Sequence, residues 1–295
     1  MLTYKECVPC FIRQIDEAAY LVTKDKAIQE QIIKEARGLI ESIDFSMPPP
    51  QMAQNIYRMI ERKMGRQDPY YQIKKKSNAM ALSLYSRLKE KVKKSSDRLL
   101  TALEIAISGN IIDYGAKNSL DIEKEIDNLF TKDFSDEDKI VFQYEKFKSD
   151  LAETDEILYL ADNAGEVVFD RILIEELSKT KKITYVVREK PIINDALIED
   201  ALECGIDKIA KVISSGSDAP GTILGECDPQ FVDMFNKSNL IISKGQGNYE
   251  TLSALESHLI YFLFKAKCPV VARNAGVSVG NIVLMSSFCQ MRAKA

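Results

Sequence analysis

Two kinds of hydrophobic pattern divide this chain. In the first half, Val8, Ile12, Ile15, Ala18 and Ala19 recur at the spacing of one helical face, and residues 1–150 read as helices throughout. Pro48-Pro49-Pro50 interrupts them, because proline cannot continue a helix. A second helical stretch runs from about Gln51 to Met64. Asp68-Pro69 then reads as the opening of a long helix reaching about Ser95, followed by an apolar helix over 98–112. From about residue 155 the pattern becomes strand, turn, helix. Strands are expected at 156–161, 182–187, 209–213, 239–243, 259–264 and 268–272, and helices at 166–179, 194–203, 229–236 and 248–255. Such alternation implies right-handed crossovers and a parallel sheet with helices on both faces. The expected architecture is a helical amino-terminal region, 1–150, packed on a three-layer α/β/α sandwich with a mostly parallel sheet, 151–295.

Composition removes several function classes. The 295 residues carry 40 Lys and Arg against 44 Asp and Glu, a net charge of −4, which does not suit a general nucleic-acid binder. No apolar run is long enough for a membrane span, and the first residues lack a signal-peptide core, so a cytoplasmic protein is expected. The single histidine, His258, precludes a two-histidine metal site and is expected to be structural. Of the six cysteines only Cys7 and Cys10 form a close pair. One C-x-x-C supplies half of a structural zinc site, so the pair is a possible thiol site set against a purely structural role.

Candidate chemistry gathers where strands end, since an open parallel sheet binds ligands outside the carboxyl ends of its strands. Asp162-Asn163-Ala164-Gly165-Glu166 follows the first strand, and Asp195 follows the second by way of a short linker. Either acid would serve as a helix cap. Together, two carboxylates and an amide oxygen form a hard-oxygen set that suits magnesium or manganese and leaves room for water and substrate. Glu166, one turn into its helix, is either a general base or a favourable charge at the helix start. Lys244 ends the fourth strand and precedes Gly245 and Gly247, with Asn248 opening a helix, an arrangement that can cradle phosphate. It is neither a P-loop nor a dinucleotide fingerprint. Ser217 lies in a polar loop after the third strand, placed to touch a substrate's hydroxyls or phosphate.

Cys7-x-x-Cys10 with Arg13, Asp162-Asn163-Ala164-Gly165-Glu166, Pro191-x-x-Asn194-Asp195 and Lys244-Gly245-x-Gly247-Asn248-Tyr249-Glu250 occur in this order across almost the whole chain. In these elements the chain resembles the damage-control phosphatases, the ARMT-like family once classed as a domain of unknown function. Its C-x-x-C resembles the archaeal and bacterial branch. The resemblance implies a Rossmann-like carboxyl-terminal domain and a divalent metal (magnesium, manganese, cobalt or nickel) on Asp162, Asn163 and Asp195. It further implies a phosphate-binding Lys244 and hydrolysis of small phosphorylated metabolites, sugar phosphates or damaged ones. The eukaryotic branch ends its glycine-rich element in arginine where this chain has Glu250. The expectation is a metal-dependent phosphomonoester hydrolase with Asp162 and Glu166 as catalytic groups. The rival readings are an S-adenosylmethionine-dependent carboxyl methyltransferase, which would need more glycine after the first strand than Gly165, and a redox or metal-binding module built on Cys7 and Cys10.

Overall fold

The computed structural model describes residues 1–65, 68–109, 126–131 and 134–288. Its described residues contain one six-stranded sheet in the order β3-β2-β1-β4-β5-β6. The strands are β1 Glu156–Leu160, β2 Lys182–Val187, β3 Lys211–Ser214, β4 Ile241–Lys244, β5 Ile260–Lys265 and β6 Ile282–Ser286. All neighbours are parallel except β5 and β6, which run antiparallel. The sheet builds outward from β1 in both directions, so the strand order reverses between β1 and β4. That reversal opens a crevice at the carboxyl ends of the strands, where α/β proteins bind ligands.

β1, β4 and β5 are buried on both faces, as near-continuous apolar runs such as Ile157-Leu158-Tyr159-Leu160 require in a covered parallel sheet. On one face Tyr159, Tyr185, Ile242 and Leu263 pack with the helices Tyr71–Lys94, Arg98–Ser108 and Glu166–Leu177. The other face packs Leu158, Val186 and Phe262 against Phe231, Phe235, Tyr249 and Val271. A third cluster, around Phe11, Ile15, Ile32, Ile56 and Ile60, holds together the helices Val8–Val22, Lys26–Glu41 and Pro49–Met64. No helix of the described residues is long and apolar enough to cross a membrane.

The expected strand at 268–272 is instead a helix, Pro269–Ala275. Pro269 occupies its first turn, where a missing N–H is tolerated, and Cys268 Sγ caps it by accepting from Val271 N at 3.5 Å. A short apolar run such as Val270-Val271-Ala272 does not by periodicity distinguish helix from strand. The sixth strand is Ile282–Ser286, which the sequence reading did not assign. The helix expected from 194 starts at Ile198, and the one expected from 248 starts at Gly245. The long helix starts at Tyr71, after Asp68 Oδ1 accepts from Tyr70 N at 2.9 Å. The helix expected over 98–112 runs from Arg98 to Ser108, and its expected end and Cys289 lie outside the described residues. His258 packs its ring against Phe235 at a tilt of 53°, 5.0 Å between centroids.

Candidate active site

The turn after β1 and the loop after β2 are locked together. Asn163 and Asp195 form an isolated antiparallel bridge, Ala164 N donates to Asn194 O at 2.8 Å, and Ala196 N donates to Asp162 O at 2.8 Å. Neither acid caps a helix: Gly165 stands at the cap of Glu166–Leu177 and Leu197 at that of Ile198–Glu203. Within the loop Ile193 has φ 46°, the only positive φ among described non-glycine residues. A β-branched residue in that region is strained, and strain of this kind persists where the surroundings over-determine a functional loop.

Asp162, Glu166 and Asp195 are all buried, and Asn163 is partly exposed beside them. Asn163 Nδ2 donates to Asp162 Oδ2 and to Glu166 Oε1, each at 2.9 Å. Arg188, at the end of β2, donates through Nε to Asp195 Oδ2 at 2.8 Å. Lys244 Nζ reaches Glu166 Oε2 at 3.3 Å and Asp170 Oδ1 at 2.6 Å. Four buried carboxyl groups, Asp162, Glu166, Asp170 and Asp195, gather here; Lys244 pairs with Glu166 and Asp170 and Arg188 with Asp195, while the charges of Lys267 and Lys74 act on Asp162 and Asp195 respectively. Burial, aided by the charges of Glu166 and Asp195, holds the Asp162 carboxyl well above the usual carboxylate range. Burial likewise raises Asp195 to about 6 against the opposing pull of Arg188.

This donor set fits a hard divalent cation. Asp162, Asn163 and Asp195 offer oxygen ligands from one pinned pair of loops, and a dication would favour the ionised form of both acids. Among the described residues no group of three or more His, Cys, Asp or Glu side chains is placed to hold a metal ion, so an ion bound here would have two carboxylates and an amide and would need water or substrate to complete its shell.

Lys244, Gly245 and Asp162 meet because the end of β4 lies beside the end of β1. Gly245 has φ 78°, and a Cβ there would lie 2.0 Å from Asp162 Oδ2, so only glycine fits. Gly245 and Gly247 belong to the first turn of the helix Gly245–Leu252 rather than to a separate glycine-rich turn. A Cβ on Gly247 would meet Pro220 O at 2.1 Å, so its open face is filled by the loop after β3. Asn248 is buried and fully engaged: Nδ2 donates to Ala161 O and Lys244 O, while Oδ1 accepts from Arg188 and Thr222. Ser217 is buried within its loop, its Oγ accepting from Ala219 N at 3.1 Å. The close approach that Gly165 permits is taken by Ser77, and its N–H donates to Asn78 Oδ1 at 2.7 Å.

Arg188, Asp170 and Asn78 were missed by the sequence reading, whereas Thr222 belongs to the polar loop it singled out after the third strand. Asp170 had a signal, lying four residues after Glu166 and hence on the same helix face. Arg188 directly follows an apolar strand. Asn78 had none, because its contact depends on how two regions dock.

Beside this centre lies a cavity of about 350 Å³ between the helix Pro49–Met64 and the loop of Lys190–Ile193, with Arg58 and Asp218 in its wall. Arg58 grips Asp218 in a two-pronged pair at 3.0 and 2.7 Å.

Cys7 stands at the cap of the helix Val8–Val22 and Cys10 in its first turn. Burial raises both thiols, and the charges of Cys268 and Glu250 add to that. Glu250 itself is raised to about 7 by burial, with Gln246 and the Met1 ammonium opposing. Because this acid is raised on folding, its stabilising contribution is present below its unfolded pKa and is lost as pH rises through about 7. Glu250→Gln is expected to raise thermal stability at pH 8 by up to about 3 kcal/mol and to change little at pH 4.5, measured by denaturation at both pH values.

A mostly parallel sheet with a buried acid–amide–acid centre and a lysine at its reversal point defines a Rossmann-like protein. Residues 3–283 match the damage-control phosphatase ARMT1-like domain, and the chain belongs to that family. It is 39% identical over 290 residues to an uncharacterized protein of Methanocaldococcus jannaschii, covering 95% of this chain and 94% of that one. It is 35% identical over 285 residues to damage-control phosphatase PH1575 of Pyrococcus horikoshii, covering 95% and 96%. The crystal structure of the latter, a DUF89 family protein, superposes with a TM-score of 0.86 at 32% identity, covering 97% of this chain and 99% of that one.

Proposed function

We propose that this chain is a divalent-metal-dependent phosphatase that hydrolyses small phosphorylated metabolites. The supporting observation is the pinned cluster of Asp162, Asn163 and Asp195, with both carboxyls buried, next to Lys244 at the sheet's reversal point. Membership of a phosphatase family supports the reaction class. Magnesium, manganese, cobalt and nickel all suit these donors.

A cation held by Asp162, Asn163 and Asp195 would withdraw charge from the phosphoryl group as the transition state forms. Arg188 keeps Asp195 oriented through Oδ2. Glu166 has both oxygens engaged, by Asn163 and by Lys244, so it aligns the amide ligand and the lysine with each other. Lys244 supplies the positive charge for the phosphate. Burial alone would lower its pKa, but Asp170 and Glu166 reverse that and hold it above the usual lysine range, as an ammonium.

The test is phosphate release from a panel of sugar phosphates and phosphorylated cofactors with each of the four metals, before and after chelation. Activity unaffected by chelation would refute metal dependence. Lys244→Met is expected to reduce kcat/KM by about 100-fold, as loss of a preorganised charge partner does. It should leave Mn²⁺ affinity without substrate no weaker, because lysine is not a ligand. It should also lower thermal stability, because Asp170 and Glu166 lose their buried cation. Kinetics and Mn²⁺ titration on the folded variant check this, and unchanged kinetics would remove Lys244 from the phosphate site.

A further inference from the structure

Lys244 rests on a carboxylate that is itself braced by other groups. Asp170 is completely buried on the helix Glu166–Leu177. Tyr159 OH donates to its Oδ1 and Tyr185 OH to its Oδ2, each at 2.8 Å, and Lys244 Nζ donates to Oδ1 at 2.6 Å. The two tyrosines are paired residues on β1 and β2, with rings stacked 5.4 Å apart. Packing alone would be met by a leucine at 170 and phenylalanines at 159 and 185. An isolated buried carboxylate is strongly unfavourable, and a buried ion pair is often no more stable than apolar replacements. What this arrangement does achieve is to fix one atom: Asp170 is held by two hydroxyls from two strands, and it in turn holds Lys244 Nζ.

Resting on the phosphatase reading, we propose that Asp170 is the positioning residue for Lys244. The tyrosine-braced carboxylate keeps Nζ charged and fixed beside Glu166, so that the ammonium meets the phosphoryl group without reorganising. Such preorganisation is what makes a charge partner effective in a water-poor site. Without the anion below it, a lysine this buried would tend to give up its proton. The direction of its pKa agrees: Asp170 foremost among its neighbours opposes the effect of burial.

Asp170→Asn keeps the shape and the hydroxyl contacts but removes the charge. It is expected to lower kcat/KM by ~10–100-fold while leaving Mn²⁺ affinity without substrate unaltered, since preorganised charge partners act on this scale. In a Lys244→Met background the same change should cost almost nothing further, because two residues acting through one group are not additive. Removing both charges together should also restore part of the stability that Lys244→Met loses. A loss below about twofold, or a full multiplicative loss in the double variant, would overturn the proposal, the latter meaning that Asp170 acts independently of Lys244. If Asp170→Asn does not fold, Tyr159→Phe with Tyr185→Phe loosens the same carboxylate and should give a smaller loss, again absent in the Lys244→Met background.

A second readout does not depend on activity. In ¹⁵N-labelled protein, a slowly exchanging ammonium signal should be present in the wild type, absent in Lys244→Met, and broadened or lost in Asp170→Asn. An unaltered signal in Asp170→Asn would overturn the proposal. Wild-type protein without metal-dependent phosphate release would instead overturn the phosphatase reading and leave the ammonium signal to decide the role of Asp170.

Discussion

Asp162→Asn is expected to weaken Mn²⁺ binding by about 100-fold or more, since even partners one shell removed from a metal cost ~10–100-fold. Phosphatase activity should fall at least as far. The same change should make the metal-free protein more stable. Asp162 is buried near Glu166 and Asp195, and its carboxyl is held well above the usual range. An acid raised in this way stabilises the fold only below its unfolded pKa and costs stability as pH rises beyond it. An amide of the same shape removes that cost, so a gain of about 1–2 kcal/mol is expected at pH 8, fading towards pH 4. With saturating Mn²⁺ the ranking should reverse, because a bound ion stabilises only the protein that binds it. Thermal melts in chelator and in Mn²⁺ at two pH values measure all of this. If Mn²⁺ raised the variant's midpoint as much as the wild type's, Asp162 would not be a ligand.

Gly245→Ala should have a large effect for a single added carbon. The residue has φ 78°, and the new Cβ would lie 2.0 Å from Asp162 Oδ2 and 2.1 Å from its Cγ. Backbone strain at such a position costs ~1–3 kcal/mol for a non-glycine residue. The clash comes on top, and relief requires either Asp162 or the start of the helix Gly245–Leu252 to move. Both thermal stability and metal affinity should therefore fall. Gly225→Ala is the matched control: it has nothing within 4 Å and no positive φ, and should stay within about 0.5 kcal/mol of wild type. Wild-type metal affinity in Gly245→Ala would show that Asp162 is not held in place by that contact.

The sequence was most legible where local physics dominates. The apolar runs at 156–161 and 182–187 could be read as covered strands because both of their faces are buried. The run at 268–272 could not, because Pro269 and the capping Cys268 turn an equally apolar segment into a helix. β6 escaped notice because its place is set by antiparallel pairing with β5 rather than by a strand–helix–strand repeat. For the site, strand-end position picked out Asp162, Asn163, Asp195 and Lys244. It could not show that Lys244 is already gripped from below by Asp170, nor that Asn248 spends its side chain joining Ala161, Lys244, Arg188 and Thr222.

Taken alone, the order of residues determined the α/β class, the succession of strands and helices, and the loops that carry the acids, because periodicity and turn chemistry act within a few residues. Only the tertiary structure decided which of those loops meet. The reversal of strand order at β1 and β4 brings Asp162 against Gly245, and the bridge between Asn163 and Asp195 fixes two acids that are far apart in the chain. Burying these carboxyl groups together raises Asp162 and Asp195 and so favours a dication that would hold them ionised. That effect is a property of a shared low-dielectric volume, and no local stretch of sequence contains it.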